Sequence, residues 1–257
     1  MSGNDSIGKT LTVALLLCIV CSVVVSTAAV VLKPAQEINK TLDRKRNILA
    51  AAGMLDDSRS VEEQFAQITT RVVDLRTGNF VDDVDADSLD PVKAAKDPGR
   101  SDALSADEDI AKIFRREHHT LVYIVEDGQG DIDKVILPVR GYGLWSTMYG
   151  FIALESDANT VAGLGFYEHG ETPGLGGEID NPRWKSLWPG KEVYRDGEVE
   201  LALVKGSVDP ASPNANWQVD GLAGATLTAR GVTNLVQFWL GENGFAPFLD
   251  NLKAGEA

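Results

Sequence analysis

Two short segments carry residues whose types and spacing suit chemistry. The first is Asp220-Gly221-Leu222-Ala223-Gly224-Ala225-Thr226-Leu227-Thr228. Its small residues let a bulky group come close to the backbone. It runs into a stretch in which Val232, Leu235, Val236 and Trp239 recur at i, i+3, i+4 and i+7, the pattern of a helix with one buried face. Free N–H groups and the positive end of the helix dipole make such a place receptive to phosphate. Thr226 and Thr228 put two hydroxyls there. The same residues also read as a Gly-rich turn with Thr228 capping a helix over Ala229–Gly241. The second segment is Glu171-Thr172-Pro173-Gly174-Leu175-Gly176-Gly177. Pro173 and the three glycines shape a loop whose backbone groups can meet a planar polar ring, and a rigid connection between elements explains it as well.

Other chemistry is thin. Two cysteines and three histidines do not furnish a thiolate or imidazole metal centre. His169, just before the second segment, could tune a bound ring, although a hydrogen-bonded structural histidine accounts for it. Asp82, Asp83, Asp85, Asp87 and Asp90 crowd together without the Gly and Glu positions of a calcium loop, so they read as a solvated acidic insertion. No catalytic set and no metal ligand set emerges.

The elements that must position these segments begin with an uncharged run, Thr10 to Leu32, of 23 residues. As a helix it is about 34 Å long, enough to cross the hydrocarbon core of a bilayer. Lys9 and Lys33 bracket it, and Pro34 is expected to end it. A cleaved leader is the competing reading, but its apolar core would be only about 7–15 residues. Cys18 and Cys21 lie inside this run and read as small packing residues. Residues 1–9 then form a tail, 10–32 a transmembrane helix, 33–57 a helical stalk and 58–119 a variable region with the acidic insertion. A short helix is expected over Val61–Ile68. Strand signals begin at Thr120: Leu121–Val125, Val135–Val139 ending at Gly141-Tyr142-Gly143, Tyr149–Leu154, Thr160–Tyr167 and Val199–Lys205, with Ile179–Leu187 helical. Residues 120–245 make the main domain and 246–257 a C-terminal tail. The fold class is α+β, mixed strands with flanking helices behind one N-terminal membrane helix.

Lys plus Arg number 24 against 38 Asp plus Glu, a net charge of -14. That excludes a protein built to live on nucleic acid. Charge also bears on orientation. Lys9 precedes the apolar run, while Lys33, Lys40, Arg44, Lys45 and Arg46 follow it, which by the positive-inside rule puts the large domain in the cytoplasm.

Together the two segments resemble a known family. DGLAGATLT is similar to the flavinylation motif of covalent FMN-binding domains, and ETPGLGG to their companion motif. The runs Tyr142–Gly150, Gly165–Gly170 and Trp184–Lys191, with the anchor and Leu42–Leu49, resemble the C-type flavin subunit of the sodium-translocating NADH:quinone reductases. The G-type flavin subunit of ferredoxin:NAD-type ion-pumping complexes shares the anchor and both motifs, and a non-redox membrane-tethered module is a further reading. The resemblance implies an FMN joined through its phosphate to Thr226 by a separate flavin transferase. Gly224, Ala225 and Thr228 would surround the phosphate. Glu171, Thr172, Gly174 and Leu175 would approach the isoalloxazine ring, with Trp145 near it, and Lys205 would offset flavin charge. It implies an electron-relay subunit among other subunits of a translocase that takes electrons from NADH to ubiquinone and moves sodium. The subunit would be a single-pass protein of the bacterial inner membrane, its flavin domain periplasmic, against the charge count. Ala223 departs from the motif, which usually has Ser or Thr there.

Overall fold

The structure, a computed structural model, describes residues 6–257. It divides into a unit ending at Asp43 and a second, Arg44–Ala257. Helix α1 (Ile7–Ala51) accounts for nearly all of the first. Its apolar segment has a mean hydropathy of 2.8 over an 18-residue window, and its large side chains from Leu11 to Leu32 are exposed on every side. A helix apolar all round, with none of the described residues packed on that segment, is suited to lipid. Pro34 does not end the helix, contrary to expectation, but lies inside it. Proline removes one backbone donor and crowds the preceding turn; the helix formers that follow, from Ala35 to Ala52, carry the helix on.

In the second unit, α2 (Val61–Phe65) is capped by Ser60, whose hydroxyl accepts from the Glu63 N–H. Strands β1 (Ile68–Asp74) and β2 (Asn79–Phe80) follow, then α3 (Pro91–Ala94), capped by Asp90, and the small pair β3 (Ser101–Ala103) and β4 (Arg115–Glu117). Four long strands come next: β5 (His119–Glu126), β6 (Ile132–Tyr142), β7 (Thr147–Glu155) and β8 (Val161–Glu168). A 3-10 turn (Gly176–Asp180) leads to α4 (Pro182–Lys185) and four two-residue strands, β9 (Tyr194–Arg195), β10 (Glu198–Val199), β11 (Ala202–Leu203) and β12 (Gln218–Val219). Helices α5 (Thr226–Leu240) and α6 (Ala246–Ala254) close the chain.

The main sheet is antiparallel, in the order β2-β1-β5-β6-β7-β8. Successive side chains of a strand point to opposite faces. Val122 and Ile124 of β5, Val135, Leu137 and Val139 of β6, and Met148, Ile152 and Leu154 of β7 join α5 and α6 in one core. Leu121, Tyr123 and Val125, with Ile136, Phe151 and Ala153, join Ile48, Leu49 and Ala51 from the end of α1 in another. Burial on both faces is why these strands read as unbroken apolar runs.

Several expectations need correction. The sheet begins at Ile68, not Thr120: β1 pairs over its whole length with β5, from Ile68 opposite Val125 to Asp74 opposite His119. The polar Thr69-Thr70-Arg71 interrupts its apolar pattern, so only the pairing reveals it. Ile68 therefore belongs to a strand, and α2 stops at Phe65. Gly141 does not break β6, which pairs with β7 as far as Tyr142 opposite Thr147. The expected Val199–Lys205 strand is two short pieces, and Ile179–Leu187 is a 3-10 turn plus α4. Residues 246–257 are no mere tail. Phe248 and Leu249 are buried, Phe248 meets Phe80 edge-on at 5.3 Å, and Asn251 Nδ2 donates to the Thr77 and Gly78 carbonyls at 3.2 and 3.1 Å. Gly78 permits this approach: its φ is +72°, and a β-carbon there would sit 2.5 Å from the Pro247 carbonyl carbon.

Arg140 of β6 holds the sheet to β4. Its guanidinium donates to both carboxylate oxygens of Glu117, at 2.7 and 2.5 Å, with both residues buried. The Trp239 indole N–H donates to the Arg140 carbonyl at 2.7 Å, tying α5 to the same place. Glu117→Ala should cost about 3–5 kcal/mol, because it strands a buried cation, whereas Glu117→Leu with Arg140→Met should recover most of that loss. Denaturant midpoints of the full chain in detergent check both.

Candidate functional site

Three segments separated in sequence meet at one carboxylate. Glu171 Oε1 accepts the backbone N–H groups of Leu144 and Trp145, each at 3.0 Å, and of Ser146 at 3.4 Å. Glu171 Oε2 accepts the hydroxyl of Thr228 at 2.6 Å. The β6–β7 turn, the Glu171 loop and the first turn of α5 are thus fastened together. Burial alone would raise the Glu171 pKa, but the Thr228 hydroxyl and the three N–H donors hold it below the usual glutamate value. Space at the junction is tight. A β-carbon at Gly143 would lie 2.5 Å from Glu171 Oε1, and one at Gly176 would lie 2.5 Å from Thr228 Oγ1. Glycine is required at both places for close approach.

Further hydrogen bonds tie the rest of the loop to the β6–β7 turn and the 3-10 turn. Ser146 Oγ accepts the Gly170 N–H at 2.6 Å, and His169 Nδ1 lies 3.2 Å from the Glu171 N–H. His169 Nε2 is 2.7 Å from Asp180, so this histidine has a partner on each nitrogen. The Thr172 carbonyl accepts from Leu175 and Gly177, and Gly174 turns the chain with φ +74°. The segment before α5 is anchored by the Trp184 indole N–H on the Asp220 carbonyl at 3.0 Å and by Asp220 Oδ1 accepting the Val208 N–H at 2.8 Å.

Helix α5 begins at Thr226, not Ala229, and no side chain caps it. Its first-turn N–H groups therefore have no side-chain acceptor at the cap. Thr228 is not the cap: it is the third helical residue, 1% exposed, with its hydroxyl turned to Glu171. Thr226 is exposed and makes no side-chain hydrogen bond among the described residues. Ala225 is buried against the core, and Gly224 takes φ +71° beside the Leu175 side chain. Leu175 and Trp145 are exposed, as are Thr172 and Gly174. Thr226 and Lys205 line one cavity of about 270 Å³, together with Gly221, Leu222, Arg230 and Thr233. The structure thus joins Thr226 with Lys205, and Glu171 with Thr228 and the Trp145 backbone. Both carboxylate oxygens of Glu171, expected to approach a ring, are taken by the chain itself.

Sequence reasoning missed Arg230, which stands four residues after Thr226 on the same helix face, a spacing that could have found it. It also missed the exposed Leu144 and Leu227, which line a second cavity of about 240 Å³ with Lys112, Tyr142 and Arg230.

A family model described as an FMN-binding domain matches residues 143–241, the stretch that contains every residue of this junction. Over its whole length the chain is 58% identical to the C-type Na(+)-translocating NADH-quinone reductase subunit of Pseudomonas aeruginosa, covering 100% of both chains. The chain belongs to this family, NqrC. The Vibrio anguillarum member is 49% identical, over 99% of this chain and 98% of that one. Among solved structures, the Shewanella oneidensis NqrC superposes with a TM-score of 0.75 at 38% identity, over 82% of this chain and 96% of that one. The Parabacteroides distasonis member gives a TM-score of 0.66 at 30% identity, over 85% of this chain and 96% of that one. Full-length identity to NqrC members decides between this family and the G-type alternative.

The residues present fit an FMN phosphate. The exposed Thr226 hydroxyl at the uncapped start of α5 and two cations line one open cavity, and the left-handed Gly224 lies two residues before that hydroxyl. The methyl of Ala223, three residues before Thr226, offers no side-chain donor.

Proposed function

We propose that this chain is the membrane-anchored flavin subunit of a Na(+)-translocating NADH:quinone reductase, carrying FMN esterified through its phosphate to Thr226. The observation that supports it is the difference between the two candidate hydroxyls: Thr226 faces solvent at the start of α5, while Thr228 is buried and bonded to Glu171. A separate flavin transferase makes the ester from FAD: the Thr226 oxygen bonds to the flavin-side phosphorus, the pyrophosphate bond breaks, AMP leaves and the hydroxyl proton is lost, so this chain is the transferase's substrate. When bound, FMN supplies reversible electron transfer; the protein supplies attachment, burial and electrostatics. The first-turn N–H groups of α5 would hold the phosphate, with the left-handed Gly224 leaving room for it. Thr172, Gly174, Leu175 and Trp145 would flank the ring, and the Glu171 junction fixes the loops that carry them. The other subunits of the complex supply and remove electrons, and the apolar part of α1 holds the flavin beside them, raising its effective concentration.

The flavin domain lies on the periplasmic side of the inner membrane, where a covalent bond keeps a cofactor that no free pool would replace. The charge count against this orientation is weakened by the fold. Arg46 pairs with Asp57 at 2.8 Å, Lys45 sits 5.0 Å above the Phe65 ring and Arg44 5.9 Å from the Phe151 ring. These cations serve the folded domain, and large domains translocate largely regardless of charge.

A peptide map of the chain from its native membranes tests the reading. The peptide containing Thr226 should carry the mass of FMN less one water, and a bare peptide would refute it. Protease added outside spheroplasts should degrade the domain; protection would reverse the orientation.

A further inference from the structure

The chain carries 38 carboxylates against 24 Lys and Arg, yet the two cavities that flank the start of α5 reverse that balance. One is lined by Lys205 and Arg230 along with Thr226. The other is lined by Lys112 and Arg230 along with Leu227. No Asp or Glu lines either. Arg230 borders both, and its side chain makes no hydrogen bond or ion pair among the described residues; the same holds for the side chains of Lys205 and Lys112. By contrast, Arg71, Arg76 and Arg140 of the same chain all have carboxylate partners. Residues four apart on a helix are neighbours on one face, so Arg230 stands one turn from the Thr226 hydroxyl.

We propose that Arg230 is the counter-ion of the phosphodiester formed at Thr226, with Lys205 supporting it from across the cavity. The inference rests on the reading of Thr226 above. A phosphodiester keeps one negative charge, and an arginine beside it offers planar, charge-assisted donors that a helix end alone lacks. The same charge supplies what Ala223 does not: a side-chain donor beside the phosphate. Arg230 acts while the ester forms, by stabilising charge on the phosphorus oxygens, and afterwards, by lying near the flavin. It is a binding residue for the linking group and takes no proton.

The test uses the full chain co-produced with its flavin transferase, wild type against Arg230→Gln, Arg230→Glu and Arg230→Lys. Intact mass gives the rate of flavin attachment, and a redox titration gives the midpoint potential of the attached flavin. Arg230→Gln should slow attachment about tenfold and Arg230→Glu more, while Arg230→Lys stays within about threefold of wild type. The potential of Arg230→Gln should fall, because a lost positive charge disfavours the reduced, more negative flavin. Arg230 is exposed and unpartnered, so these changes should leave the thermal midpoint nearly unmoved. Wild-type rate and potential in Arg230→Glu would overturn the inference while leaving Thr226 as acceptor. A wild-type chain with Thr226 bare would overturn the acceptor assignment, and this inference with it.

Discussion

Thr226→Val, produced with the flavin transferase, should run on a denaturing gel as a band without ultraviolet-excited fluorescence, and its intact mass should lack the whole FMN increment. Valine keeps the shape of threonine and removes only the hydroxyl. Thr226 is exposed, so the replacement should barely change stability, and a lost signal cannot be ascribed to misfolding. Thr228→Val is the matched control. It deletes a buried hydroxyl that donates to Glu171 Oε2, leaving that oxygen without its partner. This should cost roughly 1–3 kcal/mol of stability. The acceptor at Thr226 is untouched, so the denatured Thr228→Val band should still fluoresce. Fluorescence that followed Thr228 instead would show that the wrong hydroxyl had been assigned.

Glu171→Ala should be the most destabilising single change at the site. It removes the acceptor of three backbone N–H groups and of the Thr228 hydroxyl in a buried place. A loss of about 3–5 kcal/mol is expected, read as a lower denaturant midpoint. The turn that presents Trp145 loses its tether, so flavin attachment should fall as well. Glu171→Gln keeps one oxygen to accept and should retain much of the stability, but not its dependence on pH. The Glu171 carboxyl is buried, yet its hydrogen bonds lower its pKa in the folded chain. Its contribution is therefore fully present above the unfolded value of about pH 4.3 and is lost as pH falls through the lower folded value. Wild type minus Glu171→Gln, compared between neutral and strongly acidic pH, isolates this difference. Equal acid sensitivity in the two proteins would remove Glu171 from the account.

What could be read from the sequence depended on local pattern. The uncharged run from Thr10 to Leu32 is found without a structure because a bilayer imposes one length and one polarity. The strands β5 to β8 are found because both faces of the sheet are covered and their apolar runs are continuous. The face of α5 with Val232, Leu235, Val236 and Trp239 is buried as its spacing requires. Strand β1 escaped because Thr69, Thr70 and Arg71 hide its periodicity, and α6 because nine residues beginning with Ala246-Pro247 give little helical signal. Pro34 misled because a local rule about breakers was set against the long run of helix-favouring residues that follows it to Ala51.

By itself, then, the sequence determined the anchor, the α+β class, the two glycine-bearing segments and the pair of threonines in front of the last helix. Only the tertiary structure showed how those threonines differ, one exposed and the other buried against Glu171. Glu171 lies 57 residues from Thr228, and no periodicity within either segment could place one carboxylate against that hydroxyl. Sequence patterns record which faces are apolar, but the partner of a buried polar group is set by how distant segments pack, and that choice leaves Thr226 free and Thr228 engaged.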